Sequence, residues 1–155
     1  MLLSYRIPRE PSTPRIAVWR KLKRLGVAQL GDGLIALPAD ARTREQLDWI
    51  AEDITDAGGA ASIWLAHPAS MRQECELTSG LAAARAAEYT EVLTEAQAAR
   101  TLDAAARAAA IRRLRGQLRR IGRRDYFPPP ERVAARAAVD ALAEAEPATN
   151  ESELS

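Results

Sequence analysis

Alternating β-type runs and amphipathic helical patterns fill the first 67 residues, and this alternation constrains the fold more than any other feature. Residues 2–7 alternate apolar with polar side chains, as a half-buried strand does. Two prolines end that run, and a helical pattern then continues to Gly26, a residue suited to ending a helix. A second helical pattern follows the capping-box sequence at residues 43–46 and ends at Gly58.

Three more β-type runs complete the pattern at residues 27–30, 34–37 and 60–66. The Gly-Asp-Gly sequence between the first two predicts a hairpin turn. The predicted order is therefore β-α-β-β-α-β, the order of the ferredoxin-like fold. With both helices on one face of the sheet, the expected core residues are Trp19, Leu22, Leu47, Ile50 and Ile54.

The second half of the chain has a different composition. Residues 70–124 contain no proline and are rich in strong helix formers. The Tyr-Phe-Pro-Pro-Pro sequence at 126–130 interrupts the helical pattern, and a short alanine-rich helix is predicted after it.

The predicted fold class is α+β, a ferredoxin-like βαββαβ domain followed by a long α-helical C-terminal extension. The predicted limits are 1–68 for the domain and 69–146 for the extension, which is a helical hairpin plus a short helix. A disordered polar tail is predicted at 147–155, where the sequence is acidic and almost devoid of apolar side chains.

Charge is segregated along the chain although the net charge is only +1. Residues 1–26 carry seven basic side chains against one acidic one, and residues 100–124 carry nine against one. The segments 27–99 and 125–155 are acidic, so the small total hides strong local fields. Two regions can therefore attract an anion such as nucleic acid.

The first basic region is the helix that contains the sequence Val-Trp-Arg-Lys-Leu-Lys-Arg-Leu-Gly, residues 18–26. On a helical wheel Trp19 groups with the apolar residues, and the cations occupy the opposite side. Three readings stay open, namely a solvated face, a surface that contacts phosphates, and ion pairs with the acidic segment 40–56. The candidate DNA-binding residues here are Arg15, Arg20, Lys21, Lys23 and Arg24.

The second basic region surrounds an apolar stripe formed by Ile111, Leu114, Leu118 and Ile121. Most of that stripe is expected to dock within the chain, and part of it to serve a two-fold dimer. The arginines could be solvated, contact nucleic acid, or pair with the acidic segment 88–95. The cluster comprises Arg112, Arg113, Arg115, Arg119, Arg120, Arg123 and Arg124, of which Arg112, Arg113, Arg119 and Arg120 are the candidate DNA-binding residues.

Metal and catalytic sites are not expected. The chain has one histidine, His67, and one cysteine, Cys75, whereas a structural zinc site needs four ligands. Cys75 has a glutamate on each side, and these acidic surroundings make it a poor candidate for a nucleophile. The sequence predicts no enzyme activity, no cofactor and no membrane segment, and a lone cysteine fits a reducing cytoplasm.

Several motifs together resemble the N-terminal domain of the chromate-resistance regulator ChrB family. They are the Pro-Arg-Glu turn at 8–10, the basic helix at 18–26, the Leu-Pro strand end at 37–38 and the Thr-Arg-Glu-Gln helix start at 43–46. The Arg-Asp-Tyr-Phe sequence at 124–127, followed by an alanine-rich helix, is similar to that domain's closing segment. The resemblance covers most of residues 2–146.

The resemblance implies a cytoplasmic, bacterial, non-enzymatic regulator that binds the promoter of a chromate-resistance operon. Because family members continue into a second domain, to which the chromate response is ascribed, the resemblance also implies a separate chromate-sensing domain as a partner. The alternative reading is a structural module that pairs with such a sensing domain and does not touch DNA.

Overall fold

The computed structural model of the chain describes residues 1–144. Four strands and five α-helices occur in this part of the chain, with a short 3₁₀ turn at Ala99–Thr101 after the third helix. The strands are β1 (Leu2–Arg6), β2 (Ala28–Gly31), β3 (Leu34–Ala36) and β4 (Ala60–Trp64). The helices are α1 (Ser12–Leu25), α2 (Ala41–Asp56), α3 (Met71–Ala98), α4 (Ala104–Gly122) and α5 (Glu131–Glu144).

The chain thus has a mixed architecture of one antiparallel sheet and more helix than strand, which confirms the predicted combination of α and β elements. It divides into two compact units, an N-terminal unit (Met1–Leu81) and a C-terminal unit that begins at Ala82. The domain limits proposed from the sequence stay predictions. The predicted tail at 147–155 lies outside the described residues.

In the N-terminal unit the strands are arranged in the order β2-β3-β1-β4, and all neighbours are antiparallel. Leu3 of β1 lies opposite Ile35 of β3 on one side and Ile63 of β4 on the other. Residues directly opposite one another share a face of the sheet, so these three form an apolar row. Helix α2 contacts β1 and β4, and α1 contacts α2.

The core of this unit contains four of the five residues expected from the sequence, Leu22, Leu47, Ile50 and Ile54. The prediction for Trp19 is wrong, because its side chain is 52% exposed. On α1 the buried residues are Val18 and Leu22. Trp19 lies about 100° round the helix from Val18, which takes the indole off the narrow buried arc and onto its edge.

Helix α2 begins earlier than the capping box at 43–46 predicts. Asp40 is the N-cap, and its carboxylate accepts a hydrogen bond of 2.8 Å from the backbone N–H of Thr43. The Thr43 side chain is fully buried, and its hydroxyl donates to the carbonyl of Pro38 at 2.6 Å. Thr43 is therefore the third helical residue of an Asp40–Thr43 box.

The predicted hairpin joins β2 to β3, and Gly33 is its critical residue. Gly33 has φ = 70°, in the left-handed region, and its carbonyl accepts a 2.7 Å hydrogen bond from the N–H of Tyr5. A Cβ at this position would stand 2.2 Å from the carbonyl oxygen of Tyr5. The turn and the entry of β1 into the sheet both depend on the missing side chain.

We expect Gly33→Ala to lower the free energy of unfolding by roughly 2 kcal/mol or more, since it combines backbone strain with a clash against a strand. Chemical denaturation of the two proteins would measure the difference. Gly31→Ala is the matched control two residues away, because a Cβ there meets nothing within 4 Å. Equal losses for both variants would contradict the assignment to Gly33.

The C-terminal unit has its own core, built from α4, α5 and the part of α3 that belongs to it. Tyr89, Leu114 and Val139 are fully buried there, one from each helix. Of the predicted α4 stripe, Ile111, Leu114 and Ile121 are buried, and Leu118 packs against the same cluster. The stripe therefore docks within the chain, as expected.

Candidate nucleic-acid interface

Helix α1 exposes most of its cations on the side away from Val18 and Leu22. Within residues 1–144, none of these exposed cations has a carboxylate at ion-pair distance. There is also no acidic residue anywhere between positions 11 and 31 to offset them. The exposed candidates are Arg15, Arg20, Lys23 and Arg24.

Lys21 differs from these four. Its Nζ pairs with the carboxylate of Asp53 on α2, and both side chains are about half exposed. This is the third reading offered by the sequence, an ion pair with the acidic segment 40–56, and it holds for this lysine. Lys21 therefore joins α1 to α2 instead of adding a freely available charge to the outer face.

Trp19 lies beside the exposed cations of α1. The Nζ of Lys23 is 4.9 Å from the centroid of the indole ring, which is cation–π geometry. Ile16, one turn before Trp19, is also an exposed apolar residue. The outer face of α1 is therefore both cationic and aromatic, and a helical wheel that places the tryptophan in the core misses this combination.

Six of the seven arginines of the second basic region fall into two rows, five of them on α4 and Arg124 just after its end. The first row faces the acidic side of α3, where Arg113 pairs with Glu95 and Arg124 pairs with Glu88. Arg120 lines a cavity of about 210 Å³ together with Glu88 and Arg124. The ion pairing with the acidic segment 88–95, one of the alternatives predicted from the sequence, therefore occurs for Arg113 and Arg124.

The second row of α4 faces solvent. It consists of Arg112, Arg115 and Arg119, which are exposed and make no ion pair with any residue in the range 1–144. Spacings of three and four residues place them along one side of the helix, over about 10 Å of its axis. Of the candidate residues in the second region, Arg112 and Arg119 lie in this outward row.

A polar cluster that the sequence analysis missed connects α3 with the end of α4. Glu88 accepts from two arginines, Arg85 at 2.8 Å and Arg124. The Arg85 side chain is only 10% exposed, and it also donates to the backbone carbonyl of Arg124 at 3.4 Å. One carboxylate thus pairs with two guanidinium groups, one of which is nearly removed from water.

Asp125 extends this cluster. Its fully buried carboxylate accepts from the hydroxyl of Tyr89 at 2.9 Å and lies 3.5 Å from Nη1 of Arg132. Burial of the tyrosine, reinforced by the hydrogen bond to Asp125, raises the pKa of Tyr89 to about 12, so the hydroxyl remains a donor at neutral pH. Arg124 and Asp125 therefore anchor the α4–α5 connection to α3.

A weak sequence signal for this cluster does exist. Asp125 directly follows a segment with nine basic residues and a single acidic one, and Arg85 and Glu88 stand three residues apart on a predicted helix. The Arg-Asp-Tyr-Phe motif contains two members of the cluster, but its resemblance to a family segment does not reveal what the side chains contact.

Two negative findings apply to residues 1–144. No group of three or more histidine, cysteine, aspartate or glutamate side chains is placed so that it could hold a metal ion. None of the helices there combines the length and the apolar character that a membrane crossing requires. Cys75 lies exposed on α3.

The fold and its surfaces define a mixed α/β protein with cationic faces on α1 and α4. The family described as Protein ChrB, N-terminal, matches residues 15–151, and the chain belongs to that family. Over 101 residues it is 32% identical to Protein ChrB of Cupriavidus metallidurans, a match that covers 65% of this chain and 31% of that protein. The shared region is thus less than a third of that relative. No solved structure matches the chain.

Proposed function

We propose that the chain is a non-enzymatic, DNA-binding transcriptional regulator of the chromate-resistance type that acts in the cytoplasm. The observation that supports it best is the outer face of α1. Arg20 and Arg24 are exposed one turn apart, about 6 Å along the axis, with no carboxylate partner among residues 1–144. Such a face attracts the phosphate backbone without a competing acidic group.

Membership of the ChrB N-terminal family is the second support. The motif resemblance to that family implies regulation of a chromate-resistance operon, and this supports the proposed function. The ferredoxin-like classification of residues 1–68 is part of the same proposal, supported by the antiparallel strand order β2-β3-β1-β4 and by the position of α1 and α2 along the chain between the strands. A homodimer and a separate sensing domain are the partners that this proposal includes.

The outward row of α4 gives the C-terminal unit a cationic surface of its own. Arg112, Arg115 and Arg119 are available there, whereas Arg113 and Arg124 neutralise glutamates of α3. We assign the outward row to phosphate contact and the paired arginines to the stability of the unit. Phosphate contacts position a protein on DNA but carry no sequence information by themselves.

The test is the salt dependence of binding to a promoter fragment. Each phosphate neutralised contributes about −0.9 to the slope of log affinity against log salt. We expect Arg20→Gln with Arg24→Gln to make that slope less negative by about 2 and to weaken binding roughly tenfold at intermediate salt. Fluorescence anisotropy of a labelled duplex, read at several salt concentrations, measures both quantities.

The matched control is Arg44→Gln with Arg72→Gln. Both arginines are exposed in the N-terminal unit, but each pairs with a carboxylate four residues later, Asp48 or Glu76. We expect the control to bind like wild type. An unchanged slope in the Arg20/Arg24 variant would remove α1 from the DNA interface, and absence of binding by the wild-type protein at low salt would favour the module that only pairs with a sensing domain.

A further inference from the structure

Trp19 is an exposed indole with cations on both helical sides. Its neighbours one turn before and after are Arg15 and Lys23, and the Lys23 ammonium stands 4.9 Å from the ring centroid. Residues four apart on a helix lie on the same face, so the ring and both cations form one surface. About half of the Trp19 side chain remains in water, so its exposed apolar surface contributes no burial energy to the fold of this unit.

We propose that Trp19 is a base-stacking residue and that the α1 face binds single-stranded DNA in preference to duplex. The inference rests on the DNA-binding function proposed above and specifies its ligand at this face. Surfaces that bind single strands combine cations along the backbone with aromatic rings on which bases stack. In a duplex the base faces are covered by their neighbours, so an indole gains contact only where bases are unpaired.

Trp49 shows why exposure alone does not make a tryptophan a candidate for stacking on DNA bases. It lies on α2 and is exposed to a similar extent as Trp19. Three of its four helical neighbours at spacings of three and four are acidic, namely Glu45, Glu52 and Asp53. A phosphate backbone would be repelled there, whereas Arg15 and Lys23 attract it at Trp19. The two tryptophans therefore form a natural test pair with opposite electrostatic surroundings.

The experiment compares a labelled single strand of about 12 nucleotides, within the ~4–16 that single-strand sites cover, with a duplex of the same length. Affinities are read by fluorescence anisotropy at low salt for the wild type, Trp19→Leu, Trp19→Phe and Trp49→Leu. Leucine keeps an apolar side chain but cannot stack, whereas phenylalanine retains a ring. Far-ultraviolet circular dichroism confirms that each variant is folded.

We expect wild type to bind the single strand more tightly than the duplex. Trp19→Leu should weaken single-strand binding roughly 5- to 150-fold, which corresponds to the ~1–3 kcal/mol of one stacked base. Trp19→Phe should restore most of the affinity, and Trp49→Leu should bind like wild type.

The outcomes separate this inference from the function on which it rests. If the protein binds duplex and Trp19→Leu leaves both affinities unchanged, the stacking role is wrong and the DNA-binding function stands. Equal weakening on single strand and duplex overturns the preference for unpaired bases. Failure of the wild type to bind either nucleic acid overturns both proposals.

Discussion

Glu88→Ala should destabilise the C-terminal unit by about 2–4 kcal/mol. Removing one partner of a buried ion pair typically costs ~3–5 kcal/mol, because the other charge stays behind without compensation. The expected value is lower here because Glu88 is about a quarter exposed. The variant leaves Arg85, which is 10% exposed, and Arg124 without their shared carboxylate. Urea denaturation followed by circular dichroism measures the loss.

Glu91→Ala is the control for this prediction. Glu91 lies nearly one turn further along α3, is exposed, and makes no ion pair with any residue up to 144. We expect its free energy of unfolding to remain within about 0.5 kcal/mol of wild type, as for most surface changes. Similar midpoints for the Glu88 and Glu91 variants would mean that the two arginines find other partners and that the cluster does not hold the unit together.

Leu22→Ala should lower the free energy of unfolding more than Trp19→Ala does, although tryptophan is the larger side chain. Leu22 is 3% exposed, and truncating a buried leucine costs ~2–5 kcal/mol through lost burial and the cavity left behind. Trp19 is larger but exposed, so its truncation should cost about 1 kcal/mol or less. The free energies of unfolding of both variants decide between the two positions.

The comparison also tests the orientation of α1. A larger loss for Trp19→Ala than for Leu22→Ala would place the indole against the sheet and turn the cations of α1 toward the protein. The proposed phosphate-contacting face would then not exist, because Arg20 and Arg24 would no longer lie on the solvent side of the helix.

Local patterns sufficed to predict the order of elements in the N-terminal unit. Prolines and glycines separate the runs, and Gly26 and Gly33 have positive φ at the helix end and the hairpin turn where the sequence places them. Leu47, Ile50 and Ile54 repeat at helical spacing and are buried as expected. These features are encoded within a few residues of one another, which is why a single sequence reveals them.

Trp19 could not be assigned in the same way. A wheel that scores apolar character counts the indole with Val18 and Leu22, but burial depends on how wide an arc the neighbouring elements cover. In α1 the half-buried flank is the side of Lys21, which reaches Asp53 on α2, and Trp19 lies on the other flank. The contact between α1 and α2, and not the hydrophobicity of the side chains, determines which flank of α1 is half-buried.

The sequence also could not predict which arginines in and just after α4 pair with glutamates and which face solvent. Which arginine meets a glutamate depends on the register between α3 and α4. That register places Arg113 beside Glu95 and Arg124 beside Glu88. The short connection after α3, where Asp103 caps α4 by accepting from the N–H of Ala106 at 2.8 Å, is part of what sets it. The sequence shows complementary charges, and the geometry decides which cations remain for solvent.

All three tryptophans of this chain, Trp19, Trp49 and Trp64, are more than half exposed. A folded protein with this distribution should emit at long wavelength, much as an unfolded chain does, because its indoles are already in contact with water. The wavelength of tryptophan emission should therefore shift little when the core unfolds. It should still respond to a molecule that covers the exposed indoles. The tryptophan fluorescence of this protein should therefore change when a ligand or partner binds at the surface, and change little when the protein unfolds.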